Sequence, residues 1–76
     1  MRYNVHGLVI ETDNGNGKIV SSDFHEENDP PELKAALDAI ESLILAHACA
    51  GVNVESDAYI EGVRTAEIAI FDNIGV

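Results

Sequence analysis

Two stretches of helical apolar periodicity, separated by only a few residues, constrain this chain more than any other feature. At about 100° per residue, Leu33, Ala36, Leu37, Ile40, Leu43, Ile44, His47 and Ala48 share one face. This predicts a helix from about Pro31 to Ala50, flanked by a stripe of small residues at Ala35, Ala39, Ala46 and Ala50. At the start, Asp29 suits a cap, Pro30 the first helical position and Glu32 the third place of a capping box, although Pro31 disfavours a helical Pro30. Gly51 suits the left-handed residue after a helix, with Val52 folding back on the last turn. Only Val52–Glu55 then precede Ser56 and Asp57, either of which can cap a second helix over about Asp57–Ile74. A link this short makes the two helices antiparallel neighbours.

The second helix places Tyr59, Val63, Ala66, Ile70 and Ile74 on one face, and Ile60, Ile68 and Phe71 widen the apolar arc. Its polar sector is narrow: Glu61, Thr65 and Asp72. A helix that is apolar over most of its circumference must be covered on several sides. The expectation is self-association through Ile60, Arg64, Glu67, Ile68 and Phe71, giving a homodimer, with Arg64 paired to Glu67 three residues on. Gly62, near Ala58 and Ala69, is expected to mark a close helix contact.

Upstream, residues 3–11 are rich in β-branched and aromatic side chains and read as one strand. Its alternation puts Tyr3, Val5, Gly7 and Val9 on one face and His6, Leu8 and Ile10 on the other. Two Asn-Gly pairs, Asn14-Gly15 and Asn16-Gly17, follow as hairpin-turn candidates before a return strand at Lys18–Ser22. A lone hairpin is marginal in water, so this one must pack on the helices or join its counterpart in a dimer. The expected fold is α+β, order ββαα: an N-terminal β-hairpin packed on a C-terminal antiparallel helical hairpin, in one domain over residues 1–76.

Charge narrows the function classes. Fourteen acids against four Lys and Arg leave a net charge of −10. Such a surface repels nucleic-acid phosphate and anionic lipid, which excludes direct binding to either, and suits basic proteins or cations. The acids concentrate at Asp23, Glu26, Glu27, Asp29 and Glu32, a segment without Lys or Arg, which is the candidate docking surface for a basic protein partner. A single cysteine, Cys49, permits no internal disulfide and fits a reducing cytoplasm. The apolar run Leu43–Val52 is about half of a membrane span, and Val5–Ile10 is too short for a signal-peptide core.

No catalytic constellation is assembled by spacing. His47 on an apolar helix face reads as a hydrogen-bonded core imidazole, and Cys49, two residues on, projects elsewhere. Gly15 and Gly17 belong to a turn between strands, not to a phosphate loop opening a helix. Thr12, Asn14, Asn16, Gly17 and Asp23 follow part of the spacing of an EF-hand loop. Thr12 and Val20, at the first and ninth places, and Asp23 at the twelfth, depart from it. No cofactor is expected.

Residues 40–62, IESLILAHACAGVNVESDAYIEG, resemble a segment of small uncharacterised proteins of phages and other mobile elements. The resemblance covers the helix–loop–helix half and implies a non-enzymatic accessory or host-directed role. The expected function is therefore a small acidic protein-interaction module. The alternatives are a nucleic-acid-mimicking inhibitor of a host nucleic-acid-binding protein and a weak calcium-binding hairpin.

Overall fold

A computed structural model of the chain describes residues 1–24, 26 and 28–74. It contains β1 (Arg2–Val5), β2 (Leu8–Asp13), β3 (Asn16–Ser22), α1 (Pro31–Cys49) and α2 (Asp57–Ile74). The architecture is the α+β one expected from the sequence, with one strand more. The strands form an antiparallel meander in the order β1-β2-β3.

The extra strand arises because residues 3–11 are not one strand but two, folded back at His6-Gly7. Val5 pairs directly with Leu8, and His6 and Gly7 have φ of 49° and 91°. Positive φ at both central residues suits a hairpin turn matched to the strand twist. Gly7 adopts it freely, and His belongs to the types somewhat enriched there. The turn also merges the two expected faces, since Val5, Leu8 and Ile10 all end up fully buried on the helix side. Strict alternation through Gly7 separates residues that the fold-back unites.

Of the two Asn-Gly pairs, Asn14-Gly15 makes the second turn, with φ of 51° and 83° between paired Asp13 and Asn16. Gly17 instead lies within β3, where a Cβ would come within 2.8 Å of Cys49 Sγ and 2.9 Å of Leu45 Cδ1. Its lack of a side chain lets α1 lie close against the strand. A register shift between Val9 and Ile10 then inserts Val20 as a bulge, so Ile19 pairs with Ile10 while Ser22 pairs with Leu8. One extra residue flips the alternation. Ser22, rather than Ser21, thereby faces α1.

There Ser22 Oγ donates to Glu41 Oε1 at 2.9 Å and accepts from the Phe24 N–H at 3.1 Å. Glu41 is 6% exposed. A carboxylate at this depth requires hydrogen bonding, which Ser22 supplies across the sheet–helix interface. Leu33, Leu37, Ile44 and Ala48 complete the buried stripe of α1.

The helix ends differ in how they are closed. Pro30 is the N-terminal cap residue of α1, with Pro31 at the first helical position and no side-chain cap bond. The expected Asp29 cap is absent because its carboxylate accepts from the Glu26 N–H at 2.8 Å. At the other end, Gly51 N–H donates to Ala48 O and Val52 N–H to His47 O, a Schellman closure with Gly51 at φ 89°. Ser56 caps α2 through the Tyr59 N–H at 3.2 Å. Between them Val54 is fully buried, and Glu55 Oε2 accepts from the Asn4 N–H of edge strand β1 at 3.0 Å.

Candidate functional site

The acidic segment lies beside an opening of about 300 Å³ at the His6-Gly7 end of the sheet. Its floor is apolar: Phe24, Leu33 and Phe71, from the connecting segment, α1 and α2. Around this floor stand His6, Asp23, Glu26, Asp29 and Glu67. Backbone geometry sets each of them. Asp23 N–H donates to Gly7 O at 3.0 Å, tying the end of β3 to the first turn. A reciprocal turn, Asp29 N–H to Glu26 O at 3.2 Å, holds the two rim acids together.

Glu67 is the chemically distinctive member. Its Oε1 is buried without a hydrogen-bond partner, and His6 Nε2 stands 3.6 Å away. That separation is too long for a hydrogen bond. Burial pushes the Glu67 pKa up, partly offset by attraction from His6 and Arg64. The expected Arg64–Glu67 pair is thus replaced by a His6–Glu67 contact, because α2 turns Glu67 toward the first hairpin. Sequence spacing along one helix carries no signal for a partner 61 positions away in a turn.

The structure thus brings Asp23, Glu26 and Asp29 to one opening and adds His6 and Glu67, which sequence reasoning placed elsewhere. Glu32 stands outside it, exposed in the first turn of α1, where an acid complements the helix dipole. Glu27 lies outside the described residues, as does His25.

Of the residues expected at a self-association surface, Ile60 and Phe71 pack half-buried on the core. Ile68, by contrast, is 60% exposed, and Arg64 is exposed. Gly62 makes no close contact within the chain, since a Cβ there would meet nothing within 4 Å.

The remaining candidates are structural in their surroundings. His47 Nδ1 lies 2.6 Å from the Tyr59 hydroxyl, with the rings edge-to-face at 5.5 Å. Burial pushes the Tyr59 phenol up, so it keeps its proton, and its hydroxyl donates to Nδ1 or accepts from it according to the imidazole tautomer. The EF-hand-like spacing is stretched along β3, which puts Thr12 and Asp23 near opposite ends of a seven-residue strand. At about 3.3 Å per residue these oxygens cannot encircle one cation.

A broader depression of about 600 Å³ at the far end of the sheet is lined by Arg2, Glu11, Asp13 and Lys18. There Arg2 and Glu11 pair at 3.0 Å, and Lys18 is opposite Glu11 on the other side, so the charges largely neutralise one another. Among the described residues no group of His, Cys, Asp and Glu converges as a metal site, and no helix is long and apolar enough to cross a membrane. Comparison with known protein families, curated proteins and solved structures finds no match.

Proposed function

We propose that this chain is a non-enzymatic interaction module whose acidic opening accepts a lysine or arginine side chain from a basic partner protein. The observation that carries this reading is the buried, unpartnered Glu67 Oε1 beside an apolar floor and an acidic rim. Long basic side chains combine an aliphatic stem with a charged head. Phe24, Leu33 and Phe71 suit the stem, and Glu67 suits the head. Asp23, Glu26 and Asp29 add attraction at longer range and raise the association rate. Their spread around the opening fits a side chain with several donors better than a point-like metal ion. An accessory or host-directed role, acting on a basic protein, is consistent with the net charge of −10.

Calorimetric titration with an arginine-rich peptide and its glutamate-substituted counterpart tests the reading. The expected result is binding of the basic peptide alone, weakening as salt rises. Glu67→Gln, or the triple change Asp23→Asn, Glu26→Gln and Asp29→Asn, lowers affinity about tenfold or more, as loss of charge-assisted bonds requires. Glu11→Gln, at the far end of the sheet, leaves it unchanged. Undiminished binding by the triple variant, or none by the natural chain at millimolar peptide, overturns the proposal.

A further inference from the structure

The chain carries two chemically identical Asn-Gly pairs side by side, Asn14-Gly15 and Asn16-Gly17, and the fold treats them differently. An asparagine followed by glycine is open to attack by its own backbone. The nitrogen of the next residue can reach the side-chain Cγ, and a glycine there puts no side chain in the way. The other asparagines lack this freedom. Val5, Val54 and Ile74 follow Asn4, Asn53 and Asn73, and their branched Cβ atoms crowd the attacking nitrogen. Asp29 follows Asn28, and its N–H already donates to Glu26 O at 3.2 Å.

Both Asn-Gly pairs are exposed, so water and base reach each of them. Backbone freedom separates them. Asn16 pairs with Asp13 and Gly17 with Thr12, so the peptide group joining them belongs to the β2–β3 ladder. Gly17 is also crowded, with Glu11 O 3.1 Å and Cys49 Sγ 2.8 Å from where a Cβ would stand. Swinging the Gly17 nitrogen toward the Asn16 side chain opens the ladder and disturbs the contact with α1. Asn14 and Gly15 lie between paired residues and are outside the ladder themselves. Space around Gly15 is open, since a Cβ there would meet nothing within 4 Å. The 14–15 peptide group can therefore tilt while Asp13 and Asn16 stay in register.

We infer that Asn14-Gly15 is a self-modification site, converted through a cyclic imide to aspartyl and isoaspartyl forms, while the ladder and α1 protect Asn16-Gly17. The Gly15 N–H gives its proton to solvent base, and the nitrogen bonds to Asn14 Cγ. The Cγ–Nδ2 bond breaks, and the amide nitrogen takes up a proton from solvent and leaves as ammonia. Water then opens the imide. Cleavage of the new N–Cγ bond restores an ordinary peptide with aspartate at position 14. Cleavage at the backbone carbonyl instead routes the chain through Cγ and adds one backbone carbon. Neither opening needs an oxidant or reductant. An aspartate at position 14 remains a favourable first residue for this turn. The isoaspartyl product lengthens a two-residue turn whose geometry fixes the register of β2 against β3. Each product adds a negative charge beside Asp13 to a chain already at −10.

Incubation of the full chain in warm, mildly alkaline buffer, with and without unfolding urea, tests the inference by digestion and fragmentation mass spectrometry. In the folded chain, the gain of about 1 Da falls on residue 14 about tenfold or more faster than on residue 16. In urea the two pairs react at similar rates, because their local chemistry is the same. The isoaspartyl form, separated by anion exchange, unfolds at lower urea than Asn14→Asp, which carries the same charge on an unaltered backbone. Equal rates at both sites of the folded chain, or faster conversion at residue 16, overturn the inference. So does a folded chain that stays inert while the unfolded chain reacts. A preference for residue 14 that persists undiminished in urea overturns it too, since the fold is then not its cause. An isoaspartyl form as stable as Asn14→Asp refutes the consequence for register. The turn borders the depression at the far end of the sheet from the acidic opening, so this inference and the peptide-binding reading can fail separately.

Discussion

Gly17→Ala should destabilise the fold, and the structure fixes both the size and the cause. The added Cβ would lie 2.8 Å from Cys49 Sγ, 2.9 Å from Leu45 Cδ1 and 3.1 Å from Glu11 O. Leu45 can yield by rotating, but the short Cys49 side chain has little freedom and the Glu11 carbonyl belongs to the neighbouring strand. Overpacking of this kind costs about 1–3 kcal/mol. Replacing Gly also restricts the unfolded chain, which returns about 0.4–1 kcal/mol. The net loss is about 1–2 kcal/mol. With a urea slope near 1 kcal/mol/M, the unfolding midpoint falls by about 1–2 M. Adding Cys49→Ala removes the closest clash. The double variant should therefore be more stable than the sum of the single effects predicts, a coupling that a double-mutant cycle reads directly. A Gly17→Ala midpoint at or above the natural one, or strictly additive effects, would refute the reasoning that Gly17 is chosen for close helix approach.

Ser22→Ala removes the hydroxyl that donates to buried Glu41 and accepts from Phe24 N–H. It should cost about 1–3 kcal/mol by urea unfolding, with the loss retained in Ser22→Val, which restores bulk but no hydrogen bond. Glu67 gives a pH dependence of definite sign. Its folded pKa is raised, so the folded state holds the proton more tightly than the unfolded one. This stabilising contribution is fully present below the unfolded pKa and is lost as pH rises through the folded value. Comparing Glu67→Gln with the natural chain across that window should show the falling component only in the latter, and carbon NMR of the Glu67 carboxyl should titrate above the ordinary carboxylate range.

Much of the helical half is legible in the sequence alone. Leu33, Leu37, Ile44 and Ala48 repeat at helical spacing, Gly51 meets the conformational demand of a Schellman closure, and Ser56 offers a capping oxygen. These are local requirements, satisfied within a few residues, so they are written in neighbouring letters. The acidic segment is likewise visible in composition, and three of its members do gather at one opening.

Charge and periodicity, then, determine an acidic α+β chain with two antiparallel helices after a hairpin. Tertiary structure alone decides the third strand, because a two-residue turn at His6-Gly7 interrupts a segment whose β-propensity is continuous. It also decides that Ser22 faces Glu41, since a single bulge at Val20 resets which side of the sheet each residue occupies. The same holds for His6 beside Glu67. Their meeting depends on how α2 lies across the first turn, a relation between distant segments that no local spacing encodes.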